Sequence, residues 1–148
     1  MTTLSFTLAP RITAPFGSID DVHKTPHTGI DYAMPIGSKV YAPEGGIVSR
    51  IVDYGDASLG KAVFVKTRAG YQYIFGHLSE YKVLEGDRVH AGDLIALSGS
   101  TGFSTGPHLH VGLVNKAGAF VDPAAGTEER GHLGILGKVL EKSYNQAT

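Results

Sequence analysis

The sequence predicts an all-β domain, and three observations support this fold class. Short apolar runs rich in β-branched and aromatic residues recur along the chain, and clusters of turn-forming residues separate them. Glycine accounts for 20 of the 148 residues, about twice its usual share. No internal segment carries a sustained helical period. Many tight turns between short strands are therefore expected.

Five strands are predicted, and turn-forming residues bound each of them. Because Ala69 and Gly70 lie between two of these strands, residues 63–75 are expected to form a hairpin. In chain order, the predicted strands span residues 47–52, 62–67, 71–75, 94–97 and 108–114.

An internal repeat links two parts of the predicted domain. Residues 37–44 match residues 86–93 at an offset of 49, with Gly, Val and Ala identical and with the charges of Lys/Arg and Glu/Asp kept. Each copy leads into an apolar strand. We interpret the repeat as two similar half-barrels, each unable to cover its own apolar face and therefore packed against the other. The alternative is a coincidence between two glycine turns.

The domain is expected to span residues 1–125, a length that suits one core of ordinary size. The strand pattern ends after Pro123. Residues 126–131 are expected to form a polar linker, and residues 135–144 a short helix with its apolar residues on one face. We interpret residues 126–148 as a packed or frayed tail rather than as a helix for a partner protein.

Composition excludes several classes of function. A formal net charge of -1 gives no electrostatic support for binding nucleic acid. No apolar run approaches the roughly 20 residues that a membrane span needs, and residues 1–7 show no secretory signal. Cysteine is absent, which excludes disulfides, thiolate zinc sites and cysteine nucleophiles. Any metal must therefore be held by His, Asp or Glu.

The pair His108 and His110, in the last predicted strand, is the most informative feature of the chain. Alternating residues of a strand point to the same side, so the two imidazoles lie roughly 6–7 Å apart along one face. Two imidazoles aimed at one point suit a metal ion and its water. If only one of them binds the metal, its neighbour can act as a base toward that water. If both bind, no position stays open for chemistry. Spacing alone does not decide between these alternatives.

A second cluster, His27 and Asp31, has a spacing that requires a bend. On a straight strand the two residues lie roughly 13 Å apart, which is too far for ligands held at about 2 Å from one ion. Pro26 and Gly29 disfavour a helix. A bend at Gly29 is therefore expected to bring the two side chains together. A catalytic zinc site typically takes three protein ligands and leaves one position for water.

His77 follows the small Gly76 at a strand end and is expected to supply a further group for proton transfer. The chain thus carries five groups suited to metal or proton-transfer chemistry, which favours an enzyme. The remaining histidines have no partner at ligand spacing and are expected on the surface, although the first of them is close enough in sequence to border the site. They are His23, His90 and His132.

On these motifs the sequence resembles the lysostaphin-type zinc metallopeptidases, which are peptidoglycan endopeptidases. The matching stretches are residues 14–17, 27–32, 37–43, 76–78 and 99–110. The resemblance implies an antiparallel β-sandwich of the duplicated hybrid motif type, which agrees with the internal repeat. It also implies one Zn2+ ion and cleavage of a peptide bond in the stem or cross-bridge of peptidoglycan. The implied metal ligands are His27, Asp31 and His110, and the implied catalytic imidazoles are His77 and His108.

The chain departs from that family directly after the His-x-His pair. Val111 and Gly112 stand where family members often carry an aromatic residue and a glutamate. That change removes a carboxylate that could orient the metal ligands. A tyrosine or arginine that many relatives place before the first ligand is not evident in residues 17–26.

We predict a monomeric, zinc-dependent endopeptidase that acts on peptidoglycan in the cell wall, with a phage lysin or a virion-associated lytic enzyme as the favoured origin. The main alternative is an inactive relative that serves as a wall-binding scaffold or as an activator of other hydrolases. A sugar phosphocarrier and a biotinyl or lipoyl carrier are further alternatives, but the His-x-His pair disfavours the first and no lysine suits the second. Residues 99–106 lack the ending of a phosphate-binding loop and are expected to line the substrate groove. Which bond is cleaved stays open.

Overall fold

The computed structural model describes residues 10–19, 27–124 and 140. Nine strands form within these residues, and every pairing between them is antiparallel. The prediction of an all-β fold is thereby confirmed. No helix in the described part of the chain is long and apolar enough to cross a membrane. The strands are β1 (Ile12–Ala14), β2 (Gly29–Ala33), β3 (Lys39–Tyr41), β4 (Gly46–Asp53), β5 (Lys61–Thr67), β6 (Gln72–Tyr81), β7 (Arg88–Val89), β8 (Leu94–Ser98) and β9 (His108–Val114).

The strands join into one open antiparallel sheet that branches at β6. Along the main path the order is β1-β2-β9-β6-β5-β4-β7. On the side facing away from β5, the first half of β6 pairs with β9, and the second half, from Leu78 onward, pairs with β8. β3 pairs with β8 at the end of this branch. The change of partner places Gly76 and His77 at the junction of three strands.

The five strands that the sequence predicts all form, as β4, β5, β6, β8 and β9. The predicted hairpin is also present, closed by a bond from the Gly70 N–H to the Thr67 carbonyl at 3.0 Å. β6 reaches Tyr81 instead of ending at residue 75, because it continues past β9 by pairing with β8. The sequence pattern misses four strands, β1, β2, β3 and β7. Each has only two to five residues and pairs with a strand from elsewhere in the chain.

The two copies of the internal repeat make equivalent contacts. β3 lies in the first copy and pairs with β8, which follows the second copy. β7 lies in the second copy and pairs with β4, which follows the first. The Gly37 N–H donates to the Ser98 carbonyl at 2.8 Å, and the Gly86 N–H donates to the Val48 carbonyl at 2.7 Å. A duplicated unit predicts this exchanged pairing, whereas a coincidence between two turns does not.

Alternation along β9 separates the core from the site. Leu109, Val111 and Leu113 are fully buried in the main hydrophobic cluster. Burial of an aliphatic side chain of this size stabilises a fold by about 1.5–3 kcal/mol, so the three residues hold β9 firmly against the core. The residues between them, His108 and His110, must then project from the opposite face.

The predicted tail is described at one residue. Leu140 is 3% exposed and packs in the same hydrophobic cluster as β9. Leu140 itself is thus packed against the core of the domain. The remainder of the predicted linker and helix lies outside the described residues.

Candidate metal centre

The centre is built on the pairing of β2 with β9. Asp31 lies directly opposite His110, and Ala33 lies opposite His108. Because opposite residues in antiparallel strands share a face, the carboxylate of Asp31 meets the imidazole of His110. Nδ1 of His110 lies 2.9 Å from Oδ1 of Asp31. The register of these two strands thus joins residues that are far apart in the sequence.

His27 reaches the same carboxylate from the segment before β2. Its Nε2 lies 3.5 Å from Oδ1 of Asp31. The expected bend is present, but it lies at Thr28 rather than at Gly29, which is already part of β2. The prediction that Gly29 provides the bend was therefore wrong. A Cβ at Gly29 would lie 2.6 Å from Cε1 of His110 and 2.5 Å from the Val111 carbonyl, so glycine is required there to admit the imidazole.

His27, Asp31 and His110 together suit one zinc ion. Each offers one ligand atom, these atoms all lie within 4.8 Å of one another, and all three residues are buried. Ligands at about 2.0–2.1 Å from a tetrahedral zinc lie roughly 3.3 Å from each other. The two distances to Oδ1 of Asp31, 2.9 and 3.5 Å, bracket that value. Two imidazoles and one carboxylate are also a donor set that zinc accepts.

His108 occupies a different position from its partner in the His-x-His pair. Its Nε2 lies 3.7 Å from Oδ2 of Asp31, and it does not belong to the compact donor group. Its Nδ1–H donates to the carbonyl of Gly106 at 2.8 Å. The ring of His108 instead faces His77, with the two ring centroids 4.3 Å apart.

His77 joins the site through an unusual backbone conformation. Its φ of 61° lies in the left-handed region, which residues with a side chain seldom adopt. The Nδ1–H donates to the Thr101 carbonyl at 2.7 Å, and the backbone N–H donates to the Leu59 carbonyl at 2.6 Å. The irregularity breaks the alternation of β6 and holds the imidazole in the site.

Three of the four imidazoles direct the same nitrogen away from the metal position. The Nδ1–H groups of His27, His77 and His108 face backbone carbonyls. In the neutral ring this arrangement leaves the lone pair on Nε2. Nε2 is therefore the atom that each ring offers to the centre, as a ligand or as a proton acceptor.

Asp31 governs the charges of the donor group. Burial would raise its pKa, but hydrogen bonds from His110 and His27 outweigh burial and hold the pKa far below its usual value. Burial lowers the pKa of His110, against the attraction of Asp31. Burial also opposes protonation of His27, yet the bond and charge of Asp31 prevail and raise its pKa. The carboxylate is thus ionised at neutral pH, as a metal ligand must be.

His77 has the opposite electrostatic character. Burial lowers its pKa to about 4, and the neighbouring imidazoles His108 and His110 add to that effect, while the bond to the Thr101 carbonyl opposes it. His77 is consequently neutral at pH 7, with Nε2 open. The neutral ring leaves the lone pair of Nε2 available at the metal position.

Two loops that contact each other hold His77 in place, and sequence reasoning missed the contact. The Thr101 hydroxyl donates to the Leu78 carbonyl at 2.6 Å and accepts from the Lys61 N–H at 3.1 Å. A Cβ on Gly60 would lie 2.6 Å from Oγ1 of Thr101, and one on Gly102 would lie 2.5 Å from the Ser58 carbonyl. The loops therefore touch backbone to backbone. Glycines at positions 60 and 102 were the available signal, but their partner could not be known.

The centre opens into a cleft of about 300 Å3. Residues 103–105 line it, as expected from the sequence, and the aromatic ring of Phe103 is 62% exposed. Thr13, Ala14, Ser58 and Leu59 complete the lining, and of these only Ala14 lies in a stretch that the sequence analysis identified. His90 lies outside this cleft and is exposed, as predicted. His23 and His132 lie outside the described residues.

Comparison with known proteins places this chain in context. A family model described as Peptidase family M23 matches residues 25–123. The chain is similar to the peptidoglycan DD-endopeptidase ShyA of Vibrio cholerae, with 40% identity over 89 residues that cover 60% of this chain and 20% of that protein. The chain spans about a fifth of the length of the first curated relatives it matches, 18% to 23%.

Two solved structures have the same fold, and this chain matches each of them over most of its length. One is a variant of the catalytic domain of the prophage-encoded M23 protein EnpA from Enterococcus faecalis, with 32% identity and a TM-score of 0.68, covering 78% of this chain and 94% of that chain. The other is the catalytic domain of the antimicrobial peptidase lysostaphin from Staphylococcus simulans, with 31% identity and a TM-score of 0.65, covering 74% of this chain and 86% of that chain.

Proposed function

The chain belongs to peptidase family M23, and on that premise we propose that it is a zinc-dependent endopeptidase that cleaves a peptide bond in bacterial peptidoglycan. One observation carries the proposal. A compact donor group that fits zinc lines a cleft, beside two imidazoles that do not belong to that group. Three ligands and two adjacent acid–base groups are the parts that metal-assisted hydrolysis requires.

His27, Asp31 and His110 would hold the zinc ion. The distances around Oδ1 of Asp31 support these three, and they support His110 rather than His108 as the ligand from the pair. When bound, zinc would supply Lewis-acid polarisation of the substrate carbonyl and a lower pKa for the attacking water.

His77 and His108 would move the proton during hydrolysis. Each keeps its Nδ1–H on a backbone carbonyl, so Nε2 is the atom that takes a proton from the attacking water. The same atom then returns the proton to the nitrogen of the leaving amine as the peptide bond breaks. A protonated imidazole also stabilises the negative oxygen of the attacked carbonyl by a hydrogen bond.

The cleft supports an extended peptide as the substrate. Hydroxyl groups of Thr13, Ser58, Ser104 and Thr105 line it beside the donor group and can bond a peptide backbone. Phe103 adds an exposed apolar surface at the rim. The similarity to ShyA, which is named a peptidoglycan DD-endopeptidase, favours a peptidoglycan peptide.

Purified sacculi provide the test. The protein should contain one zinc ion per chain by elemental analysis and should release peptide fragments from sacculi, and a chelator should abolish release until zinc is restored. Mass spectrometry of the fragments, from walls of known cross-link type, would identify the bond. Zinc binding and wall binding without any released fragment would refute hydrolysis and favour the inactive scaffold.

Some finer predictions extend this proposal. We propose a two-layered sandwich of the duplicated hybrid type, supported by the exchanged pairing of the repeat. The domain is proposed to end near residue 125, with residues 126–148 as its tail. A monomeric state and a phage origin are carried forward as predictions, and the similarity to a prophage-encoded protein favours the second.

A further inference from the structure

A second cavity, of about 580 Å3, lies on β5, β4 and β7, at the other end of the sheet order from the metal centre. Ile47 of β4 pairs with Lys66 of β5 on one side and with Arg88 of β7 on the other. Since paired residues of antiparallel strands share a face, the two basic side chains stand on either side of Ile47. All three side chains are exposed.

Two glycines, Gly45 and Gly46, belong to the lining of this cavity, and neither carries a side chain. A Cβ on Gly46 would collide with the backbone of Lys66, and a Cβ on Gly45 would lie 3.3 Å from the Val89 carbonyl. Close approach of the neighbouring strands thus requires small residues here.

The lining is basic, and no described acidic residue takes part in it. Within the described part of the chain, the Lys and two Arg side chains form no ion pair, whereas Lys61 and Lys82 each pair with a carboxylate. The imidazole of His90 lies 3.7 Å from Asp93, so the excess positive charge comes from the other three. We call this group, with the two lining glycines, the basic pocket: Lys66, Arg68, Arg88 and His90.

This concentration of charge does not follow from composition. The whole chain has a formal net charge of -1, with 13 basic and 14 acidic residues. Three unpaired cations around one depression repel each other, and an anion seated between them relieves that repulsion. The pocket is thus complementary to an anion.

We propose that the basic pocket binds a phosphate group. Lys66, Arg68 and Arg88 come from two strands and a turn, and all three line the same cavity. A phosphate presents oxygens in several directions and carries up to two negative charges, so it engages several cations at once. A planar carboxylate, in contrast, is satisfied by a single guanidinium. The phosphate is either free or part of a phosphodiester chain.

The inference is independent of the proposed hydrolysis, since no residue of the metal centre belongs to the basic pocket.

The test of phosphate binding is a titration of the zinc-loaded protein followed by two-dimensional 15N NMR, with inorganic phosphate in one arm and poly(glycerol phosphate) in the other. Saturable shifts of the backbone amides of residues 45–47 are expected. Saturation by both probes identifies a site for free phosphate, and saturation by the polymer alone identifies a site for a phosphodiester chain.

Variants that each remove one positive charge distinguish a specific binding site from nonspecific electrostatic attraction. R88Q and R68Q should each weaken binding by roughly 10-fold, the value of a charge-assisted hydrogen bond at an exposed site. K39Q removes an exposed cation of β3 outside the pocket and should leave the affinity within about twofold, because surface charges at a distance are screened. Well-dispersed spectra of all three variants establish that they are folded. Shifts confined to residues near the metal centre, or equal weakening by K39Q, would overturn the proposal.

Discussion

The Nδ1–H of His77 donates to the carbonyl of Thr101 across 2.7 Å. This bond connects the irregular part of β6 at His77 to the loop that follows β8. The hydroxyl of Thr101 binds the loop in turn to the Leu78 carbonyl and the Lys61 N–H. The orientation of the imidazole therefore depends on a loop distant in sequence rather than on its own strand.

Replacing Thr101 with valine should impair turnover more than binding. T101V keeps the side-chain volume and the carbonyl but removes two hydroxyl bonds, so we expect kcat to fall about 10-fold, which corresponds to about 1.4 kcal/mol. KM and zinc content should change little, and T101S, which retains the hydroxyl, should restore kcat. In NMR spectra the Nδ1 proton of His77 should exchange with water faster in T101V.

A matched control for this change is T67V. The hydroxyl of Thr67 accepts from the Tyr71 N–H at 3.2 Å in the hairpin between β5 and β6, away from the site. T67V should lower the free energy of unfolding, measured with urea, by an amount similar to that for T101V. Its kcat should stay unchanged. If T67V reduced kcat as strongly as T101V, the loss would reflect general destabilisation and not the position of His77.

The two histidines of the His-x-His pair should respond differently to substitution. H110A removes a residue of the compact donor group and should weaken zinc binding by more than about 100-fold, since even loss of a group behind a ligand costs 10–100-fold. H108A should retain most of the zinc and lose turnover. Zinc affinity from a competition titration with a chromophoric chelator distinguishes the variants, and the reverse pattern would exchange the two roles.

Gly29 should not tolerate a side chain, although its strand partner should. In G29A the added methyl would lie 2.6 Å from the His110 ring, so we expect a loss of about 1–3 kcal/mol of stability and weaker zinc binding. Gly112, which pairs with Gly29, has its nearest neighbour 3.5 Å from an added Cβ, an ordinary contact. G112A is therefore the matched control. Thermal unfolding and zinc titration of both variants give the comparison, and equal behaviour would contradict the steric argument.

His77 should make the metal-free protein less stable in mild acid. Its pKa is about 4 in the folded protein against an ordinary value of 6.5, so protons bind the unfolded chain preferentially between those values. Its stabilising contribution is complete above pH 6.5 and is lost as the pH falls toward 4. Between pH 7 and pH 5 the loss should be about 2 kcal/mol.

The H77N variant isolates this effect. Asparagine tolerates the left-handed backbone and does not titrate, so its unfolding free energy should lack the loss attributed to His77. His27 and Asp31 titrate with shifted pKa values in both proteins, and their contributions cancel in the difference. Urea unfolding of both chelator-treated proteins at the two pH values provides the measurement. Parallel pH dependence would show that burial does not shift the pKa of His77.

Local patterns identified most of the framework. Runs of β-branched residues between turns located β4, β5, β6, β8 and β9, because strand alternation and turn chemistry act within a few residues. Strands as short as β3 and β7 carry too little local signal, since their pairing is decided by partners elsewhere in the chain. Both lie within the copies of the internal repeat, where no strand was predicted.

The sequence by itself determined which side chains could form a metal centre: two histidines that share a strand face, and a histidine and an aspartate that need a bend. Tertiary structure decided which of the paired histidines hydrogen-bonds to Asp31, because that depends on the register of β2 against β9. It also decided that Gly29 makes room for an imidazole, and that His77 is oriented by Thr101. These outcomes rest on contacts between residues distant along the chain, where spacing in the sequence carries no information about distance in space.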